Sequence, residues 1–341
     1  MISNAQILSN NAEVLTVGAL VLPGRAFLAP MAGVTDSAMR RLAERFGAAL
    51  TFSEMLEAEF YLGGDREAAI RAEGEGIATH VVQIAGCAPY PLAEAARLAE
   101  AAGARMIDIN MGCPAKRVTG GAAGSALMRD LDLAIELVRA VIAAVKVPVS
   151  LKMRLGWDAE TLNAPELARR AEVEGVAMIT VHGRTRCQFY NGKADWPGIR
   201  RVREAVTVPL VANGDCLGAD DAQAMIAASG ADAVMIGRAA IGRPWLIGQI
   251  ADDLAGRAIA PDPSPSQRIA AAHEHYRSLL SLFGVAKGLR HARKHLSGYV
   301  QGACGPDTAA LRKRLVTSEE PAEVEALLAL MLSREPPAGV A

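Results

Sequence analysis

The chain is short of cysteine and aromatics, carries no surplus of either charge, and has no long apolar run. Its five cysteines (Cys87, Cys113, Cys187, Cys216 and Cys304) are odd in number and scattered, with no C-x-x-C spacing. That argues against a disulfide framework and a thiolate metal centre, and fits a reducing compartment. No carboxylate pair or His/Cys cluster has ligand spacing either, so no metal is expected. Aromatic residues make up 4% of the chain, and by loop position Tyr90, Trp157, Phe189 and Tyr190 are the candidates for stacking on a ligand ring. Lysine plus arginine number 36 against 37 acidic residues, a net charge of −1. This excludes a protein that coats nucleic acid by bulk charge, yet leaves room for a local basic patch. Charges such as Arg139 and Lys146 interrupt the apolar stretches before they reach membrane-spanning length, and no secretory leader pattern is present. The expectation is a soluble, cytoplasmic protein with no membrane partner.

What is present is enough apolar residue for a large core: 51% of 341 residues. A length of this order suggests two domains, or one large barrel with an appendage. Short apolar, β-branched runs alternate with longer Ala/Leu/Glu/Arg stretches. Strands are expected near 25–30, 48–53, 79–84, 105–110, 147–153, 176–182, 207–213 and 231–237. Helices are expected between them, for example over 89–102, 130–145, 164–174 and 219–229. Asp36, Asp130 and the pair Asp220–Asp221 stand where helix N-caps belong, and Gly47, Gly103, Gly175 and Gly230 where left-handed C-caps do. Eight strand–helix units in series close most simply into a (β/α)8 barrel, with a doubly wound sheet as the competing topology. The barrel is assigned to residues 1–250 and a proline-rich linker around PDPSPS to 251–266. An all-helical domain follows over 267–341, with helices over 267–300 and 308–333.

Almost every expected strand ends in a residue capable of chemistry: Pro30–Met31, Glu54, Gln83, Asn110, Lys152 with Arg154, His182, Asn213 with Asp215, and Gly237–Arg238. In a barrel these ends form one mouth, where active sites sit. The glycines after strands seven and eight, with Arg238, suit a phosphate. Lys152 could pair with a phosphate, form a Schiff base or stabilise an anionic ring. His182 could donate to a ring carbonyl, and Gln83 suits an amide-like edge. Cys113 sits in a Gly-Cys-Pro turn, where exposure and the neighbouring Lys116 and Arg117 are expected to lower its pKa and make it reactive. In the helical part, eight Lys/Arg residues stand between Arg277 and Arg314 against one acid, Asp307. Lys287, Arg290, His291, Lys294 and His295 fall on one helix face, which is either a solvated face or a phosphate-backbone footprint.

These residues lie in APMAGVTD (29–36), VVQIAG (81–86), DINMGCPAKRV (108–118), LKMRLGW (151–157), VHGRTR (181–186), VANGD (211–215), MIGRAAIGRPW (235–245) and GLRHARKH (288–295). With these motifs the chain resembles the tRNA-dihydrouridine synthases, and within them the bacterial B subgroup. The resemblance implies an FMN-binding barrel and a helical tRNA-binding domain. It implies that Pro30, Met31 and Ala32 line the flavin, that Gln83 and Lys152 contact its ring with His182 close by, and that Asn213, Gly214, Asp215, Gly237 and Arg238 hold its phosphate end. Asn110, Lys116, Arg154, Arg184, Lys287, Arg290, Arg293 and Lys294 would serve the tRNA. After GCPAKRV the chain reads TGGAAGSAL, a loop less cationic than the subgroup's. The implied reaction reduces the C5–C6 bond of a D-loop uridine, with NADPH or NADH as reductant, hydride passing from FMN N5 to C6 and a proton from Cys113 to C5. The base must leave its stack to reach such a site. A monomer is expected. Two other readings stand beside this one: a flavin enzyme acting on a free pyrimidine, of the dihydroorotate dehydrogenase kind, and a non-catalytic RNA-binding protein.

Overall fold

The computed structural model describes residues 14–334; the outermost parts of the two assigned domains, 1–13 and 335–341, lie outside the described residues. The chain opens with an antiparallel hairpin, β1 (Leu15–Val17) and β2 (Leu20–Leu22). The barrel begins with β3 (Ala26–Leu28), α1 (Ser37–Arg45), β4 (Leu50–Phe52), the short β5 (Leu56–Glu57), α2 (Ala58–Leu62), α3 (Arg66–Ala72), β6 (His80–Ala85) and α4 (Pro89–Ala101). It continues with β7 (Met106–Met111), α5 (Lys116–Gly120), α6 (Leu131–Ala144), β8 (Val149–Arg154), α7 (Ala164–Glu174), β9 (Met178–His182) and α8 (Trp196–Arg203). It ends with β10 (Leu210–Asn213), α9 (Ala219–Ser229), β11 (Ala233–Ile236) and α10 (Leu246–Leu254). All eight expected strands and the four helices named from sequence are present.

Parallel pairing runs from β4 through β3, β11, β10, β9, β8 and β7 to β6, and β4 pairs β6 to close the ring. This is a (β/α)8 barrel. Side chains alternate along each strand, which explains why the strands read as nearly continuous apolar runs. Outward residues such as Val82, Ile84, Ile107, Ile109, Leu151 and Ile179 pack under the helices. Inward residues at the bottom, among them Phe27, Val81, Met106, Met178 and Val211, pack on Val17 and Leu22 of the hairpin. Farther up, the register places Gln83 beside Asp108, Asp108 beside Ser150, and Asn110 beside Lys152. The barrel is therefore greasy at its base and polar at its mouth.

Asp36 and Asp130 cap α1 and α6 through their side chains, accepting from the amides of Met39 and Leu133. The Asp220–Asp221 pair does not cap α9; Gly218 is its N-cap and both acids lie in the first turn, where they favour the helix dipole. Gly47, Gly103, Gly175 and Gly230 all have positive φ. The last barrel helix, α10, runs to Leu254, past the assigned boundary at 250. Beyond a coil come α11 (Pro265–Phe283), α12 (Val285–Tyr299), α13 (Thr308–Thr317) and α14 (Pro321–Leu332). The stretch expected to be helical over 267–300 is two helices divided at Gly284, whose φ of 75° a helix cannot continue. The stretch over 308–333 is likewise two, divided before Pro321, where the preceding Glu320 is extended. Among the described residues no helix is long and apolar enough to cross a membrane.

The helical part docks on the barrel. Trp245 joins its apolar cluster and meets Phe46 edge-on at 5.9 Å. Arg45 pairs with Glu274 at 2.9 Å and Lys287 with Glu67 at 2.5 Å. Asp36 meets His275 and His295, a buried cluster that sequence spacing does not reveal.

Candidate active site

The mouth of the barrel opens into a cavity of about 1150 Å³ that continues toward the helical part. It is larger than most small-molecule sites. Pro30, Met31, Ala32, Gln83, Asn110, Cys113, Lys152, Arg154, His182, Asn213, Gly214, Asp215, Gly237, Arg238 and Lys294 all line it. Of the sequence-derived site residues, Lys116, Arg184, Lys287, Arg290 and Arg293 do not.

A hydrogen-bonded network organises the mouth from beneath. Asp108, fully buried on β7, accepts from Gln83 Nε2 at 2.6 Å and from Ser150 Oγ at 2.6 Å. Gln83 Oε1 accepts from Asn110 Nδ2 at 2.8 Å. Asn110 Oδ1 in turn accepts from the amides of Gly112 at 3.1 Å and Cys113 at 2.9 Å. The thiol's backbone is thus tied, link by link, to a carboxylate under the barrel floor. Burial pushes Asp108 up to about 6, against the pull of its two donors and Lys152. Sequence reading passed over Asp108 and Ser150; an acid inside an apolar strand was the available signal.

Burial brings the Lys152 ammonium down to about 8, and the Asp108 charge works against that fall. Its Nζ donates to Asn213 Oδ1 at 3.1 Å, and Asn213 Nδ2 donates to the Met235 carbonyl at 2.8 Å. His182 is held well below the ordinary imidazole value by burial and then by Lys152, Arg154, Arg184 and Arg238. It is neutral. Because Arg184 Nη1, 3.2 Å away, can only donate, His182 Nε2 accepts and Nδ1 carries the proton.

Cys113 corrects an expectation. It is half-buried, not exposed, and its pKa is raised, not lowered, because burial outweighs the amide of Ala115 and the charges of Arg154 and Lys152. Arg117 instead pairs with Glu57, and Lys116 is an exposed residue at the start of α5. The glycine-rich loop that follows forms the wall behind the cysteine. The Ser125 amide and hydroxyl donate to the Cys113 carbonyl at 3.1 and 2.8 Å. A Cβ on Gly124, at φ 60°, would lie 2.9 Å from that carbonyl oxygen.

Two arginines assigned to tRNA brace loops at the mouth. Arg184 is 1% exposed and donates to Asp215 Oδ2 at 2.6 Å and to the carbonyls of Gly192 at 2.6 Å and Asn191 at 3.1 Å. Arg154, also 1% exposed, donates to the carbonyls of Gly112 at 2.8 Å, Thr185 at 2.8 Å and Phe189 at 2.7 Å. Three of the five N–H groups of Arg154 and four of those of Arg184 are spent on these contacts, so each guanidinium fixes a loop at the mouth. Glu54 does the same for the 30–35 turn: 2% exposed, it accepts from the Gly33 amide at 2.5 Å. Arg238, by contrast, is largely exposed, 3.4 Å from Asp215 and 5.2 Å from the Tyr190 ring.

Of the stacking candidates only Tyr190 lines the cavity, between Arg238 and Arg154. Trp157 is covered by Arg129 and Arg186, which also meets Phe189. The basic stripe on α12 is also revised. His295 is buried against Asp36, His291 stacks on Phe283, and Lys287 is paired with Glu67. Arg290, Arg293 and Lys294 remain exposed, and Lys294 reaches the cavity rim, donating to the Ala32 carbonyl at 3.3 Å.

A closed barrel with a buried lysine, a neutral histidine, an amide network and a half-buried thiol around one deep mouth carries its candidate site where (β/α)8-barrel enzymes have theirs. Solved structures share the barrel. A 6-hydroxypseudooxynicotine amine oxidase from Pseudomonas geniculata N1 matches with a TM-score of 0.55 at 15% identity, over 72% of this chain and 49% of that one. A histamine dehydrogenase from Rhizobium sp. 4-9 matches with 0.53 at 16%, over 78% and 50%. The chain spans about half the length of these two, and the likeness is one of fold. The sequence profile of the dihydrouridine synthase family matches residues 27–335. A probable tRNA-dihydrouridine synthase of Rhizobium leguminosarum is 49% identical over 89% of this chain and 94% of its own. A tRNA-dihydrouridine synthase B of Xanthomonas campestris is 44% identical over 93% and 94%. The chain belongs to the dihydrouridine synthase family.

Proposed function

We propose that this protein is a cytoplasmic tRNA-dihydrouridine synthase of the B type that holds FMN and uses NADPH to reduce the C5–C6 bond of a D-loop uridine. The observation that carries the reading is that a thiol whose pKa burial raises and a buried lysine with a single hydrogen-bonded partner line the same cavity. The relatives' names point the same way.

The mouth fits a flavin mononucleotide. Lys152 is nine-tenths buried with one hydrogen-bonded partner for three donors, which suits the electron-rich edge of a ring. Gln83 retains one N–H and Asn213 remains at the cavity wall. Glycine at 214, with φ 120°, keeps that turn clear of His182, from which a Cβ would be 2.8 Å. Gly237 and Arg238 would take the phosphate end, and Pro30, Met31 and Ala32 would border the ring. A flavin held by these residues would supply the hydride for uracil C6, with NADPH as its reductant.

The chain's own residues do the rest. Cys113 holds a proton for C5, and its raised pKa keeps that proton on sulfur until the carbon needs it. Asn110, fixed by Gln83 and Asp108, sets the cysteine's backbone. Lys152 stabilises negative charge with little reorganisation, since burial and Asn213 fix its ammonium. Tyr190, Arg238 and Lys294 lie where the tRNA would enter, and Arg290 and Arg293 extend the positive surface along α12. The test is direct: purified protein, FMN, NADPH and unmodified tRNA should yield dihydrouridine by mass spectrometry. Reduction of free uracil or oxidation of dihydroorotate, without activity on tRNA, would overturn the reading.

Two consequences follow for the binding surfaces. Arg238→Ala should lose most of its flavin on desalting, visible as the loss of the yellow absorbance; full retention would remove Arg238 from the phosphate site. Arg290→Gln combined with Arg293→Gln should reduce the slope of log Kd for tRNA against log salt by about 1.5 to 2, near one counterion per contact. NADPH oxidation by oxygen should be unchanged. An unaltered slope would make the stripe a solvated face.

A further inference from the structure

Asp36, His275 and His295 come from three helices and meet in the interior between barrel and helical part, each 5% exposed or less. Asp36 caps α1 directly after the turn that borders the cavity. His275 lies in α11 and His295 in α12. We propose that these residues form a binding site for a divalent metal ion of the zinc class, which fastens the helical part to the cofactor-side loop of the barrel.

The geometry supports this. Asp36 Oδ2 lies 3.4 Å from His275 Nε2 and 3.3 Å from His295 Nε2, and one donor atom from each residue falls within 4.8 Å of the others. Ligands held about 2.0–2.1 Å from a tetrahedral ion stand roughly 3.3 Å from one another. The spacing is that of ligands sharing a centre.

A second observation is independent of the spacing. Neither ring nitrogen of His295 has a hydrogen-bond partner, although the residue is 2% exposed. Its Nε2 lies 3.3 Å from Asp36 Oδ2 without forming a hydrogen bond to it; with the proton on Nδ1, Nε2 would present a lone pair to the same point as the carboxylate oxygen. Buried polar nitrogens are nearly always satisfied, and a cation at that point satisfies this one. His275 has the supporting contact that metal-bound histidines use. Its Nδ1 is 3.1 Å from the Tyr299 hydroxyl and its Nε2 is 3.4 Å from Asp36 Oδ2; an ion would displace the proton that Nε2 donates to the carboxylate, and Nδ1–H would then donate to Tyr299. Asp36 Oδ1 is engaged by the Met39 amide at 2.9 Å, which leaves Oδ2 for the ion. Two neutral imidazoles and one carboxylate favour zinc over calcium or magnesium, which prefer all-oxygen shells. The fourth position would fall to water. Only folding and docking bring the three residues together, so the ion would be captured as the parts close.

The test needs no assay of the reaction. Protein expressed in zinc-supplemented medium is desalted and its metal measured by plasma emission; a second batch is grown with cobalt, and its visible spectrum recorded. The proposal expects one zinc per chain, and tetrahedral cobalt bands without the intense thiolate-to-cobalt absorption that cysteine ligands give. His295→Gln should lose the metal, and Tyr299→Phe should bind it about tenfold more weakly. Substoichiometric metal in the wild type, a thiolate–cobalt band, or full zinc retention by His295→Gln would each overturn it. Should His295→Gln fail to fold, the wild-type stoichiometry and cobalt spectrum decide alone.

Discussion

Cys113→Ala is expected to leave the flavin bound and reducible by NADPH while dihydrouridine formation falls by about 10²–10⁴-fold, the usual contribution of a positioned general acid. The thiol is poorly placed to act as a nucleophile, because burial raises its pKa and the nearby cations do not reverse that. A group that keeps its proton at neutral pH is suited to give it to carbon. Sign and window follow from the direction of the shift. The thiol stays protonated past the ordinary value of about 8.5, so an activity limb from loss of this acid lies on the alkaline side, above that value. Stopped-flow reduction of the flavin separates the half-reactions. Wild-type flavin reduction with no product places Cys113 in the second half, whereas full product formation removes it from the chemistry.

Gly242→Ala is expected to have the largest effect on the docking of the two parts. Gly242 has φ 76°, and a Cβ there would lie 2.1 Å from the carbonyl carbon of Gly298 on α12. Backbone faces backbone, so no side chain can rotate away. Overpacking of this kind costs about 1–3 kcal/mol, and the left-handed backbone adds roughly 1 kcal/mol more for a residue with a Cβ. The barrel should persist by circular dichroism while the coil before α11 becomes sensitive to protease and tRNA affinity drops. Gly120→Ala is the control, since no atom lies within 4 Å of its added Cβ. Equal melting temperatures and proteolysis for the two variants would contradict the close approach.

Much of this was legible in the sequence. The eight strands, the left-handed glycines and the ring of strand-end residues follow from local signals: periodicity, glycine after a helix, polarity at the end of an apolar run. What was hidden depends on contacts between residues far apart in the chain. That Arg154 and Arg184 hold loops at the mouth is visible only once the carbonyls of Thr185, Phe189, Asn191 and Gly192 are folded around them. His295 fits a basic face by spacing, yet it lies at the edge of that face and turns toward Asp36. The pKa of Cys113 depends on its burial behind Ser125 and Gly124, which no count of neighbouring charges reveals. Asp108 was hidden by its surroundings, because an acid within an apolar strand registers as an interruption until Gln83 and Ser150 are seen to hold it.

The measurement that tests the central claim most directly is a dihydrouridine map of total tRNA from a strain lacking this gene, complemented with the wild-type gene or with Cys113→Ala. The proposed function predicts loss at a D-loop position that wild type restores and Cys113→Ala does not. Restoration by both, or a map unchanged by the deletion, would contradict it.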